Sequence, residues 1–338
     1  MPTRSPAGRG SLRAILRFLT LVLTACAPAA PPLPVADGFL AVAGGDSLFY
    51  RVAGAGPDTV VVLHGGPMLD SRYLEALLRP LGDRHALLFY DQRGRGRSSE
   101  PRTPEALTLA TDVADLEAVR RHFGLERLIV VAHHWGGAIL LKHALASPGH
   151  LARAVLLAPF PHSGALYSEL IRRPSDAAAL AAHLHAREAG ADTSDPSGYC
   201  RRYWGMAFSP IEEANPAVLR ALAPAVCAES PARLLAREGR QRRLAASLGT
   251  WDWSDSLALV GAPTLVLVGA GDPALIAGAR AWADRLRDGR VLLAGDSALF
   301  PWVQAPDAVR AAVRAFLDGA WPAGTAPAAP EPVAVIGS

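Results

Sequence analysis

The sequence predicts an α/β fold: a mostly parallel sheet flanked by helices, with a helical cap inserted into it. Short β-rich runs alternate with helical patterns from Phe39 to Leu317, the order that builds a helix-covered parallel sheet. The later β-rich runs are continuous apolar stretches, as strands buried on both faces require. The run Leu128-Ile-Val-Val-Ala132 then breaks sharply into His133-His134-Trp135-Gly136-Gly137, with a helical pattern directly behind it.

The expected strands cover 39–43, 48–53, 59–63, 86–90, 128–132, 154–158, 264–268 and 291–294. The helical patterns between them cover 72–81, 108–123, 135–146, 274–287 and 303–317. In the second of these helices, Val113, Leu116, Val119, His122 and Phe123 form one expected inward stripe. Between Pro159 and Leu257 the alternation stops; this stretch is rich in Ala and Arg and has no strand pattern. It reads as a helical cap (159–256) inserted after the sixth strand, which leaves 38–158 and 257–318 as the core. No internal repeat is visible.

The ends read differently. Arg4, Arg9, Arg13 and Arg17 precede a short apolar run at 18–25, too short to span a bilayer, and then Cys26. Leu23-Thr24-Ala25-Cys26 resembles a bacterial lipobox, whose Cys becomes acylated. On that resemblance 1–25 is a lipoprotein signal peptide, and the protein is a lipoprotein held at the membrane of a bacterial cell envelope through Cys26. Residues 26–37 are a Pro/Ala tether and 319–338 a Pro/Ala tail expected to be disordered. Formal charge is +3, but the four leader arginines lie among 34 basic against 31 acidic residues, so the remainder is slightly acidic. Nothing in this balance speaks for nucleic acid as a partner. Beyond Cys26 only Cys200 and Cys227 remain, and the sequence leaves open whether they pair or are two buried thiols.

Four motifs sit at the ends of predicted strands. His64-Gly65-Gly66-Pro67 follows the third strand, Asp91-Gln92-Arg93-Gly94-Arg95-Gly96-Arg97-Ser98 the fourth, and Gly269-Ala270-Gly271-Asp272 the seventh. The fourth motif, Ala132-His133-His134-Trp135-Gly136, has the small-x-nucleophile-x-Gly form of a nucleophile elbow. Together these resemble the α/β-hydrolase superfamily, and most closely the proline iminopeptidase-like family, over roughly residues 48 to 317. The resemblance implies an oxyanion hole built from the backbone N–H groups of Gly66 and Trp135, and a triad acid at Asp272. It also implies a Ser at position 134, where this chain has His134, and a His at position 299, where it has Leu299. All ten histidines lie at or before His185, so no later residue supplies the missing base. Met68 replaces a Gly of the first loop, and Gln304 an acidic residue near the end.

Three functional readings follow. With nucleophile and base both replaced, the first is a non-hydrolytic protein whose cap pocket holds an unidentified small-molecule ligand or substrate. In the second, His134 and Asp272 form an acid–base pair for lyase, cyclase or water-activating chemistry. In the third, ester or aminopeptide hydrolysis persists; Ser98 and Ser297 are present, but no His follows Asp272 to activate them. The cap glutamates, including Glu212, Glu213 and Glu229, are candidates for recognising a substrate amine. Trp135, Trp204, Tyr203, Trp251, Trp253 and Trp302 are candidates for an apolar pocket wall, against ordinary core packing. No cofactor is expected. A metal site made from His64, His133, His134 and Asp272 is the weaker reading, since His64 is expected to order its loop and His133 to point away from the pocket. The 91–98 loop lacks the Gly-Lys-Ser/Thr of a phosphate loop and reads as a structural turn.

Overall fold

The computed structural model describes Met1 and residues 36–66, 68–171, 177–212, 216–327 and 335–336. The expected signal peptide, Cys26 and the tether as far as residue 35 lie outside them.

Eight main strands form one sheet: β1 (Ala36–Ala41), β2 (Ser47–Ala53), β3 (Thr59–Leu63), β4 (Ala86–Tyr90), β5 (Leu128–His133), β6 (Leu151–Leu157), β7 (Thr264–Val268) and β8 (Gly289–Ala294). Their order is β1-β2-β4-β3-β5-β6-β7-β8. β1 and β2 pair antiparallel, as do β2 and β4, and every pairing from β4 to β8 is parallel. Val60, Val61, Val62 and Leu63 in β3 are fully buried, and so are Leu265 to Val268 in β7, because helices cover both faces. β1 starts at Ala36, inside the expected tether, where Asp37 pairs with Arg51 across the ladder.

The main flanking helices are α1 (Arg72–Leu78), α2 (Leu109–His122) and α3 (Trp135–Ala146). The cap follows β6 with α4 (Gly164–Ile171), α5 (Ala177–Glu188), α6 (Ala191–Ser194), α7 (Pro196–Glu212), α8 (Pro216–Val226) and α9 (Pro231–Ser247). After α10 (Ser254–Leu257), the core resumes with α11 (Pro273–Arg285), α12 (Pro301–Gln304) and α13 (Pro306–Leu317). Within the cap Cys200 and Cys227 form a disulfide.

Three expectations change. The single helix over 303–317 is two, because Pro306 has no N–H to continue the first and instead occupies the opening turn of the second. In the inward stripe of α2, Leu116 and Val119 are buried and Val113 and Phe123 pack partly buried on the core, but Asp112 and Asp115 join them and His122 is exposed; the two carboxylates take buried places because each meets an arginine. The tail continues as ordered chain through Pro327: Trp321 lies against Phe316 and beneath the Arg290 guanidinium, and Ala326–Pro327 (β9) pairs with β8. A second short strand, Val335–Ile336 (β10), also pairs with β8.

Register positions the site. Leu63 pairs with Ala132, His133 with Leu157, and Val268 with Leu293, so the loops after β3, β5, β7 and β8 emerge along one sheet edge. The chain changes winding direction between β3 and β5, the place where open α/β sheets form a crevice.

Candidate functional site

His134 sits between β5 and α3 at φ 44° and ψ −106°, a backbone state unusual for a side chain with a Cβ. Hydrogen bonds hold it there: His134 N–H donates to Leu157 O at 3.0 Å, and its carbonyl accepts from Gly137 N at 2.9 Å and Phe160 N at 3.0 Å. The turn thrusts the imidazole above the sheet edge, where its ring lies edge-on to Phe160 with centroids 5.1 Å apart. Among the described residues nothing hydrogen-bonds the imidazole. Desolvation lowers its pKa from 6.5 to about 4, so the ring is neutral at physiological pH.

The His64-Gly65-Gly66 loop lies directly on this elbow. A Cβ on Gly65 would stand 2.5 Å from His133 Nδ1 and 3.0 Å from His134 Cβ, a contact only glycine permits. His64 accepts from Gln92 N at 3.0 Å through Nε2 and bonds the Gly65 carbonyl through Nδ1. Gly65 N–H donates to Tyr73 Oη at 2.7 Å, Tyr73 O–H donates to His133 Nδ1 at 2.6 Å, and His133 Nε2–H donates to Leu299 O at 3.1 Å. The carbonyl can only accept, which fixes the proton on Nε2 and the direction of the whole chain. Burial pushes His133 well below its ordinary pKa and Tyr73 well above, so both stay neutral. His64 and His133 therefore commit both ring nitrogens to protein partners and have no lone pair for a metal. Among the described residues no cluster of three or more His, Cys, Asp or Glu is arranged to hold one. The N–H groups of Gly66 and Trp135 donate to no described residue.

Asp272 caps α11, accepting from Ala274 N at 2.8 Å and Leu275 N at 3.2 Å, with Pro273 in the first turn. It shares no hydrogen bond with His134. The loops after β7 and β8 press together: Gly269 N–H donates to Ala298 O at 3.2 Å and Ala270 N–H to Gly295 O at 2.8 Å. A Cβ at Gly269 would overlap Ser297 O, so glycine is required there. Leu299 is buried in this second loop and presents its carbonyl to His133.

The 91–98 loop is a structural turn whose arginines are all consumed internally. Arg93 pairs with Asp46 at 2.5 Å and Asp115 at 2.6 Å, Arg95 with Asp112 at 2.7 Å, and Arg97 with Asp91 at 2.8 Å. Burial alone would raise the Asp91 carboxyl, but the Arg97 hydrogen bond and charge outweigh it and hold the pKa below 3.8. Asp112 also accepts the Trp135 indole N–H at 2.9 Å, so Trp135 is buried beneath the elbow and does not line a pocket. Trp204, Trp253 and Trp302 are likewise buried in packing. Of the expected aromatics Trp251 does join the group beside His134: Phe160 meets the imidazole, stacks on Trp251 at 5.9 Å and packs against Tyr167. Glu229 has both oxygens engaged, by Gly96 N at 2.9 Å and Arg237 at 2.8 Å, and docks the cap onto the core. Glu213 and the Glu212 side chain lie outside the described residues.

Tyr73 and Phe160 were not singled out in the sequence. A phenol on an amphipathic helix and a Phe after a strand give no local sign of the partners they meet.

The family model for the alpha/beta hydrolase fold matches residues 58–298. The chain is 28% identical to a Levilactobacillus brevis proline iminopeptidase over 282 residues, 80% of this chain and 92% of that one. It is 30% identical to the Clostridium botulinum proline iminopeptidase over 129 residues, which span 37% of this chain and 44% of that protein. Among solved structures it superposes on a Pseudomonas aeruginosa hydrolase with TM-score 0.61 at 27% identity, covering 84% of this chain and 98% of that one. The proline iminopeptidase of Mycobacterium smegmatis shares the fold with TM-score 0.63 at 24% identity, over the same shares of the two chains. With the elbow, the His64-Gly65-Gly66 loop and the cap after β6 in the arrangement described, the chain belongs to the α/β-hydrolase fold family and is proline iminopeptidase-like within it.

Proposed function

We propose that this protein is a non-hydrolytic member of its family, exported and lipid-anchored through Cys26, that binds a small molecule over the elbow beneath the cap. The observation that carries the reading is His134 itself: an imidazole at the nucleophile position, bonded to no described residue and not joined to Asp272. Acyl transfer needs a nucleophile, a base that deprotonates it and an acid that orients the base. On the motif resemblance two of these are replaced, at His134 and Leu299, and such losses lower turnover by about 10⁶. The backbone donors of Gly66 and Trp135 do not depend on side chains and remain available to a ligand carbonyl or carboxylate.

The test is the pair His134→Ser with Leu299→His, assayed on simple aryl esters and aminoacyl arylamides. Turnover appearing only in the double variant supports the reading; turnover by the native protein overturns it. A second reading, residual hydrolysis, is favoured by the neutral state of His134, since only a neutral imidazole can accept a proton from water. It requires that native turnover vanish in His134→Ala. The anchor has its own test. Radiolabelled palmitate should enter the native protein, and Cys26→Ser should move it to the soluble fraction.

A further inference from the structure

A concavity lies on the seam between cap and core, built from residues that take no part in the elbow site. Its volume is about 420 Å³. Four arginines line it: Arg187 at the end of α5, and Arg240, Arg242 and Arg243 on α9. Among the described residues the one carboxylate in its lining, Glu100, is already engaged by Arg240 at 2.6 Å and by Arg233 at 3.2 Å. Arg187 and Arg243 form no ion pair or hydrogen bond with a described residue through their guanidinium groups. Arg240 is 4% exposed, gives Nη1 to Glu100 and Nη2 to the Arg233 carbonyl, and leaves Nε without a partner. A Cβ on Gly239, also in the lining, would meet nothing within 4 Å, so the space is open. Leu107 supplies an apolar wall.

We propose that this cleft is a binding site for a small organic molecule bearing two or more oxyanion groups, carboxylate or phosphate. Guanidinium forks match either group bidentately. Arg187 and Arg243, bonded to no carboxylate among the described residues, leave positive charge at this hollow that an entering anion offsets. The volume suits a small molecule, since ligand pockets span roughly 300–1,000 Å³. The apolar wall accommodates a short carbon skeleton between the charged groups.

The test uses the full chain, with citrate and inorganic pyrophosphate as probes at constant ionic strength. Either probe at about 10 mM should raise the melting temperature by about 2–4 °C, while sodium chloride at matched ionic strength should not. Arg187 and Arg243 are both exposed, so Arg187→Ala/Arg243→Ala should fold normally and lose the shift. The control Arg121→Ala, a surface arginine on α2, should keep it. A response to citrate alone assigns carboxylates, and to pyrophosphate alone phosphates. No shift with either probe, or an equal shift in the double variant, overturns the proposal.

Discussion

His133 donates its Nε2–H to the Leu299 carbonyl at 3.1 Å, which ties the loop after β8 to the residue beside the elbow. Through Tyr73 the same imidazole is tied to the loop after β3. Three loops at one sheet edge are thus held by one neutral histidine and one phenol.

Removing the phenol oxygen should loosen all three. Tyr73→Phe keeps the ring packing against His133 and Trp302 but leaves Gly65 N–H and His133 Nδ1 buried without partners. The expected loss is about 1–3 kcal/mol for each orphaned group, read as a lower urea midpoint with unchanged slope. An unchanged midpoint would mean that water replaces the hydroxyl.

Desolvation of three histidines should shape the acid limb of the stability profile. Burial lowers the pKa of His64, His133 and His134, the last from 6.5 to about 4. A base with a lower pKa folded than unfolded takes up a proton on unfolding, so its contribution is complete above the unfolded value and lost as pH falls. For His134 that window runs from 6.5 down to about 4. Urea midpoints should therefore drop between about pH 7 and pH 5, more shallowly in His134→Ser. Parallel slopes in the two proteins would show that His134 titrates normally.

Asp112 joins the buried Arg95 to the Trp135 indole. Asp112→Ala should destabilise by about 3–5 kcal/mol, because it removes the carboxylate opposite a fully buried guanidinium. Arg121→Ala, whose side chain is 74% exposed beside Glu117, should change stability by less than about 1 kcal/mol. Chemical denaturation of both variants gives the comparison; similar losses would show that burial does not govern these pairs.

The Cys200–Cys227 bond closes a cap segment with a sequence separation of 27. Reduction should lower stability by about 2–4 kcal/mol, and Cys200→Ala/Cys227→Ala should melt like the reduced native protein. Calorimetry with and without reductant tests this. A melting temperature indifferent to reductant would mean that the cap unfolds separately from the core.

Part of this architecture was plain in the chain. Continuous apolar runs located β3, β4 and β7 to the residue, since strands buried on both faces leave no polar position to blur them. Glycine and the apolar-to-helical switch located the elbow and α3. Cap helices were expected only as a class, because an Ala/Arg-rich stretch forms helix without specifying which face it buries.

By itself the sequence determined the sheet, the elbow, the identity of residues 134 and 299, and the lack of any histidine after His185. Those are matters of composition and local periodicity. The tertiary structure alone decided that His133 is a tie between loops, that Asp112 belongs inside, that Glu229 docks the cap and that the two cap cysteines meet. Each depends on a partner distant in the chain, as far as the sequence separation of 166 from His133 to Leu299, and no local pattern encodes which groups chain closure will bring together.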